Sequence, residues 1–290
     1  MEFKHILQDI KNVKIQGAEN VAKYASLSLK LIKSKDENYL KELKKAKSLL
    51  LGLRPTEPLM KNCLHYIFYH LHGRTNNEIK EDLNLRIERI ITHIEETRKS
   101  IALLGASKIK DGTVVFTHCH SSTVMNILKK AKDQGKKFSV CNTETRPLLQ
   151  GRKTAKELSD YGIPVEHFVD SAARIALKKS DLALVGFDAI DSRGRIYNKI
   201  GSELLTEAAF KLGVPVYFCG DSWKYDEKPY ENIEERSPKE IWPEAPKKVK
   251  VSNYAFEIIN PLLITGVITE LGIFKPSVYL EELKRIHSFI

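Results

Sequence analysis

The chain is poor in several things, and each lack removes a class of protein. It has four cysteines and no C-x-x-C pair. A disulfide framework is therefore not expected, and free thiols in a reducing, cytoplasmic compartment are. No run of about 18 apolar residues occurs, so no membrane span is expected. The start, Met1-Glu2-Phe3-Lys4-His5, lacks the pattern of a secretory signal. No G-x-G-x-x-G is present, so the dinucleotide fingerprint is missing. Internal repeats and low-complexity tracts are absent as well. The net charge of +10 could serve nucleic acid. Its lysines, however, are spread out, as in Lys41-Glu42-Leu43-Lys44-Lys45 and Lys247-Lys248-Val249-Lys250, without aromatic interleaving. That pattern reads as a solvated surface, and no nucleic-acid partner is expected.

What is there divides into two styles. Residues 1–107 read as a helical N-terminal domain. Leu27, Leu29, Leu31 and Ile32 lead into Leu40, Leu43, Leu50 and Leu51, and Leu85, Ile87, Ile90, Ile91 and Ile94 follow near helical spacing. Residues 108–290 read as a Rossmann-like α/β domain. Candidate strands Thr113–Phe116, Phe138–Asn142, Val165–Phe168, Leu182–Val185 and Val214–Phe218 alternate with helix-like runs 123–131, 154–161, 171–178 and 202–211. Such alternation implies crossovers and a parallel sheet covered on both faces. Residues 223–250, polar and rich in Pro and Glu, read as a surface excursion, and 261–273 as a closing apolar helix.

Unusual polar residues gather just after each candidate strand, on the edge where open α/β sheets bind ligands. The first group is His118-Cys119-His120-Ser121-Ser122, on a strand-to-helix turn. A helix N-terminus favours a thiolate and attracts phosphate, so Cys119 is a candidate base or nucleophile, with Ser121 and Ser122 beside an anion site. A buried, inert cysteine is the plain alternative. Zinc is a weaker one, because adjacent histidines make poor joint ligands. The second group is Thr143-Glu144-Thr145-Arg146-Pro147, running on to Gly151-Arg152; the third is Asp170-Ser171. The fourth holds Asp188 and then Asn198-Lys199-Ile200-Gly201. A partly desolvated Asp188 suits a general acid, although a turn-forming aspartate is common. Lys199 and Arg54 could each meet a phosphate, although a surface ion pair explains either one alone. The fifth group is Gly220-Asp221-Ser222-Trp223-Lys224.

Taken together, Thr117-His118-Cys119-His120-Ser121, Thr143-Glu144-Thr145-Arg146-Pro147, Gly151-Arg152, Gly186-Phe187-Asp188 and Asn198-Lys199-Ile200-Gly201 resemble one superfamily. It contains methylthioribose-1-phosphate isomerase, archaeal ribose-1,5-bisphosphate isomerase and the α, β and δ regulatory subunits of translation initiation factor 2B. Further matches are Ile15-Gln16-Gly17-Ala18, Arg54-Pro55-Thr56, and Ile264-Thr265 through Ile273-Phe274-Lys275-Pro276. The isomerases of this superfamily keep a cysteine in the first loop and an aspartate in the fourth, and the translation-factor subunits generally lack the pair. Here they are Cys119 and Asp188, and His-Cys-His-Ser is closest to the ribose-1,5-bisphosphate isomerase form.

The resemblance implies isomerisation of α-ribose 1,5-bisphosphate to ribulose 1,5-bisphosphate, which in archaea belongs to nucleotide salvage. Cys119 would be the proton acceptor, and Asp188 the donor or the residue that holds the ring and enediol oxygens. Gln16, Gly17, Ala18, Arg54, Ser121, Ser122, Arg146, Asn198, Lys199 and Lys224 would bind substrate. The expected partner is a phosphorylated pentose, no cofactor or metal is expected, and a homodimer or homohexamer is. A regulatory subunit of the translation-factor type is the alternative. Four departures stand out: Gln16 and Ser122 where the isomerases carry Arg and Lys, Phe187 in place of a small residue, and Gly220-Asp221-Ser222-Trp223-Lys224 for Ala-Glu-Thr-Tyr-Lys.

Overall fold

The computed structural model describes residues 2–12, 14–15, 17–33, 38–54, 57–69, 71, 75–230 and 233–286. The described residues form two compact units, one within residues 1–97 together with 223–225, the other within residues 98–222 together with 226–286.

The first unit is built from helices α1 (Phe3–Lys11), α2 (Ala18–Ser28), α3 (Tyr39–Leu53) and α4 (Pro58–Phe68), and from the start of α5 (Asn76–Ala106). Each helix begins or packs for a legible reason. Pro58 opens α4 at a position where its missing N–H costs nothing. At α5, Glu78 N–H donates to Thr75 Oγ1 at 3.4 Å, and Thr75 N–H donates back to the Glu78 carboxylate at 3.1 Å. This reciprocal capping box stabilises a helix start by about 1 kcal/mol. Ile79, Leu83, Ile87, Ile90 and Ile94 then form a buried stripe along α5. They join Leu43, Leu50, Leu59, Leu64 and Trp223 in one apolar core. Asn62 on α4 donates both amide hydrogens, to the carbonyls of Trp223 and Tyr225, each at 2.8 Å.

The second unit contains β1 (Val114–Thr117), α6 (Ser122–Asp133), β2 (Ser139–Thr143), α7 (Gln150–Asp160), β3 (Val165–Phe168), α8 (Ala173–Lys178) and β4 (Leu182–Gly186). It continues with β5 (Ala189–Asp191), β6 (Ile196–Lys199), α9 (Ser202–Leu212), β7 (Val216–Cys219), β8 (Tyr225–Asp226), β9 (Phe256–Ile259), β10 (Gly266–Thr269), β11 (Gly272–Phe274) and α10 (Pro276–Ile286). The main sheet runs β11-β10-β7-β4-β1-β2-β3 and is parallel except for β11. Its central strands are apolar on both faces, as β4 (Leu182-Ala183-Leu184-Val185-Gly186) shows by being wholly buried. A smaller sheet, β8-β5-β6-β9, carries the segment after β4.

Two expectations are corrected. Residues 261–273 are not a helix. They hold a short 3-10 turn at Pro261–Leu263 followed by β10 and β11, and the helix begins only at Pro276. The β-branched run Val267-Ile268-Thr269 between Gly266 and Gly272 is buried and pairs with β7, which an apolar count alone does not distinguish from a helix. The excursion from Trp223 is not all surface either, since Trp223 and Tyr225 are only 5% exposed.

Replacing Asn62 by Ala would leave two buried carbonyls unpaired, each costing about 1–3 kcal/mol. Urea unfolding of Asn62→Ala is expected to show a loss of roughly 2–4 kcal/mol. An unchanged midpoint would mean that water satisfies both groups.

Candidate active site

Strands β1 and β4 lie side by side, and the chain leaves them in opposite directions. β1 leads to β2 and β3 on one side, whereas β4 leads to β7 and β10 on the other. That divergence is a topological switch point, where an open α/β sheet forms its ligand crevice. The loop after β1 carries Cys119, and the loop after β4 carries Asp188.

Cys119 turns the chain from β1 into α6 with φ at +65°. For a residue with a Cβ this left-handed conformation costs roughly 1–2 kcal/mol. Two threonine hydroxyls oppose the cost. The Cys119 N–H donates to Thr145 Oγ1 at 2.9 Å, and the Thr154 hydroxyl donates to the Cys119 carbonyl at 2.8 Å. At a net 0.5–1.5 kcal/mol for a typical hydrogen bond, the two together roughly offset the strain. Thr145 is itself left-handed, with φ at +60°. Its N–H and that of Arg146 both donate to the Asp170 carboxylate, at 2.8 and 2.7 Å. Ser121 caps α6 by accepting the Val124 N–H at 3.4 Å. Its side chain also occupies the space that a Cβ on Gly186 would need.

Hydrogen-bond logic fixes His118. Its Nε2 lies 3.1 Å from the Ile200 carbonyl, which can only accept, so Nε2 carries the proton. Burial pushes its pKa down, the ring is neutral, and Nδ1 accepts from the Thr143 hydroxyl at 2.6 Å. With both nitrogens engaged, His118 is a strut joining three loops. Gly201, with φ at +101°, leaves room for it, since a Cβ there would stand 3.2 Å from His118 Nε2.

The thiol is nearly buried and its pKa is pushed up to about 11, chiefly by burial. Lys199 and the His120 N–H pull it down, and Asp188 and Asp170 push it up. Asp188, Asp170 and Lys199 are thus each within electrostatic reach of the Cys119 thiol, and the resting protein holds a protonated thiol. Lys199 is the cation of this group and also lies over the Phe256 ring, 4.8 Å from its centre.

The other expected residues divide. Ser122 is the exposed first residue of α6. Asn198 is buried and donates its amide to Ser202 Oγ at 2.8 Å, at the start of α9. Arg146 is exposed and donates to the Ile241 carbonyl at 3.2 Å. Gly17 caps α2 with φ at +83°, and Ala18 is its buried first residue. Arg54 forms a 2.7 Å ion pair with Glu57. Lys224 is buried, at 7% exposure, in the segment that belongs to the first unit. Gln16 lies outside the described residues.

Two departures from the superfamily pattern explain each other. Phe187 is 2% exposed, and a Cβ on Gly220 would meet its ring at 2.6 Å. The large side chain before Asp188 therefore fits because the next strand-end loop begins with glycine. Sequence reasoning missed Thr154 and left Asp170 and Thr145 without roles, because they act on backbone atoms, which no spacing pattern records.

A thiol and a carboxylate at the switch point of a parallel sheet, with a cation near the thiol and a helix N-terminus after it, are groups that an acid–base site for a small anionic substrate would need. The chain belongs to the Initiation factor 2 subunit family, which it matches over residues 13–276. It is 36% identical to the ribose 1,5-bisphosphate isomerase of Pyrococcus furiosus, over 98% of this chain and 93% of that one. Two solved structures from Pyrococcus horikoshii share the fold. One is a translation initiation factor eIF-2B, with a TM-score of 0.84 at 27% identity, covering 96% of this chain and 98% of that one. The other is a 5-methylthioribose 1-phosphate isomerase, with a TM-score of 0.83 at 26% identity, covering 99% and 88%.

The Phe187–Gly220 contact predicts a double-mutant cycle. Gly220→Ala alone should be destabilising by about 1–3 kcal/mol through overpacking. In a Phe187→Ala background the same change should cost nearly nothing, and equal costs in the two backgrounds would contradict the pairing. The thiol makes a second prediction. Alkylation of Cys119, followed by peptide mapping, should rise about tenfold per pH unit without a plateau near the ordinary thiol value of about 8.5. Lys199→Met should slow it at pH 8, because removing the cation raises the thiol pKa further and lowers the thiolate fraction. Faster alkylation in that variant would contradict the electrostatic assignment.

Proposed function

We propose that the protein is an aldose–ketose isomerase that converts α-ribose 1,5-bisphosphate to ribulose 1,5-bisphosphate. The observation that supports the reading is that Asp188, on the loop after β4, lies within electrostatic reach of Cys119, on the loop after β1, at the switch point. This arrangement occurs in a chain that is 36% identical over 98% of its length to a ribose 1,5-bisphosphate isomerase. The translation-factor reading has both sequence and fold similarity behind it but leaves this pair without a task.

The chemistry needs one base and one acid. Cys119 and Asp188 share one proton. The resting form is thiol with carboxylate, and the reactive form is thiolate with carboxylic acid. Moving the proton between them changes no net charge, so the step is feasible in a poorly solvated crevice. Lys199 and the His120 N–H stabilise the thiolate side of that equilibrium. The Asp188 acid protonates the ring oxygen as the C1–O4 bond breaks, and the Cys119 thiolate takes the proton from C2. The product of this step is an enol phosphate with a C1=C2 double bond. Cys119 then returns its proton to C1 while the Asp188 carboxylate takes the proton of the C2 hydroxyl, leaving the ketone. Both groups end as they began, and the atoms balance without a cofactor.

The phosphates need cations and backbone amides. Lys199, Arg146 and the first-turn amides of α6 at Ser122 and Thr123 are the candidates in the α/β unit. The superfamily resemblance assigns phosphate binding also to Gln16, Gly17, Ala18, Arg54 and Lys224, and Asn198 is a candidate for a sugar hydroxyl. The neutral Gln16 and Ser122 place more of the phosphate charge on Lys199 and Arg146. The superfamily resemblance supports a homodimer, or a homohexamer built of dimers, as the working assembly.

The test is direct. Purified protein should convert ribose 1,5-bisphosphate to a ketose bisphosphate. Cys119→Ser and Asp188→Asn should each lower kcat by at least about 10²-fold, as expected for loss of a general acid or base, with native melting curves. Turnover of a sugar 1-phosphate but not the bisphosphate would overturn the substrate assignment. No turnover of either, with binding to a translation factor, would overturn the enzyme assignment.

A further inference from the structure

The left-handed residue at the end of β1 is held at both of its backbone polar groups, and both holders are threonine hydroxyls from neighbouring elements. Thr145, just past β2, accepts the Cys119 N–H at 2.9 Å. Thr154, on α7, donates to the Cys119 carbonyl at 2.8 Å. A carbonyl can only accept, so the single hydroxyl hydrogen of Thr154 is committed to it. The 3.0 Å contact between Thr154 Oγ1 and His120 Nδ1 must then run the other way, with Nδ1–H donating. His120 is thereby assigned as its Nδ1–H tautomer. Its Nε2 faces Glu157, 3.8 Å away. Burial, Lys153 and Lys129 disfavour its charged form, while Glu157 favours it. Protonation at Nε2 leaves the Nδ1–H bond to Thr154 intact.

We infer that Thr145 and Thr154 are positioning residues that clamp Cys119 in its left-handed turn, and that His120 is a positioning residue that orients the Thr154 hydroxyl. This rests on the reading of Cys119 as the proton-transfer group. None of the three is asked to touch the substrate. Their work is to hold the thiol beside Asp188 and Lys199, where a misplacement of about 1 Å can cost on the order of 10²-fold in rate. Without the clamp, the turn relaxes toward an ordinary backbone conformation and the thiol leaves its buried position. Two readouts should then move in opposite directions. Turnover falls, because geometry is lost, and the thiol becomes more reactive, because burial is what chiefly raises its pKa.

The experiment compares full-length Thr154→Val, Thr154→Ser, Thr145→Val and Thr145→Ser with the parent protein. It measures kcat and KM on ribose 1,5-bisphosphate and, separately, the iodoacetamide alkylation rate of Cys119 at pH 8, mapped by mass spectrometry. The valine variants are expected to lose roughly ten- to hundredfold in kcat, with KM within about twofold. Their Cys119 alkylation should be several-fold faster, and the serine variants should recover both properties. At His120, Asn places an N–H near the Nδ1 position and Gln near Nε2. His120→Asn should therefore retain most of the turnover and His120→Gln should lose it. Parent-like kcat and alkylation in both valine variants would overturn the clamp. So would unfolding of both valine variants, because the hydroxyls would then hold the fold rather than the thiol. A His120→Gln variant more active than His120→Asn would overturn the tautomer and the orienting role with it. If the parent protein does not turn over this substrate at all, the alkylation arm still decides the clamp, because it needs no substrate.

Discussion

The site depends on one backbone conformation that a cysteine does not favour. At the end of β1 the chain must stop being a strand and begin α6 within a few residues, and Cys119 makes that turn with φ at +65°. Glycine would make the turn without strain, but glycine has no thiol. Keeping a thiol there requires the neighbouring loops to hold the residue, and this sets what they must contain. Thr145 must sit where its hydroxyl can accept, which its own left-handed backbone and the Asp170 carboxylate secure. Thr154 must point from α7 toward the Cys119 carbonyl. His118, one residue earlier, ties the β1 end to Thr143 and Ile200. Three loops and helix α7 thus converge on one turn before any substrate is considered.

Electrostatics follow from the same placement. A thiol brought into the crevice loses water, and its pKa rises to about 11. Two carboxylates push in the same direction, and only Lys199 and the His120 N–H oppose them. A thiolate alone would be unfavourable there. In the proposed mechanism one proton shared between Cys119 and Asp188 avoids the problem, because either arrangement carries the same net charge. Functional sites are where such perturbed groups are expected to gather. The β1–β4 divergence places these two groups on adjacent strand ends without any distortion of the sheet.

Much of this was legible in the sequence, for physical reasons that can be named. Five parallel strands stood out because β-branched and apolar runs such as Leu182–Val185 alternate with amphipathic helical runs. The polar clusters after them marked the ligand edge, and Cys119 and Asp188 stood out within those clusters. The sixth parallel strand, β10, was read as part of a helix because Val267 and Ile268 lie in a longer apolar stretch whose period is ambiguous. The small sheet was missed because β5, β6 and β8 are only two to four residues long. Phe187 and Gly220 looked like two independent departures from a familiar pattern until their contact joined them. Thr145 and Asp170 stood in those clusters without a role, and Thr154 went unnoticed, since hydrogen bonds to backbone atoms leave no signature in spacing.

The central claim is that Cys119 takes the proton from C2 of the sugar and delivers a proton to C1, with Asp188 as its acid–base partner. It is tested most directly by running the conversion of ribose 1,5-bisphosphate in D2O and examining C1 of the ketose product by NMR. The account predicts solvent deuterium at C1 in a substantial fraction of product molecules, because the thiol exchanges its proton with Asp188, which exchanges with solvent. A product whose C1 carries only substrate-derived protium would contradict it and point to a direct hydride shift in which neither group carries the hydrogen.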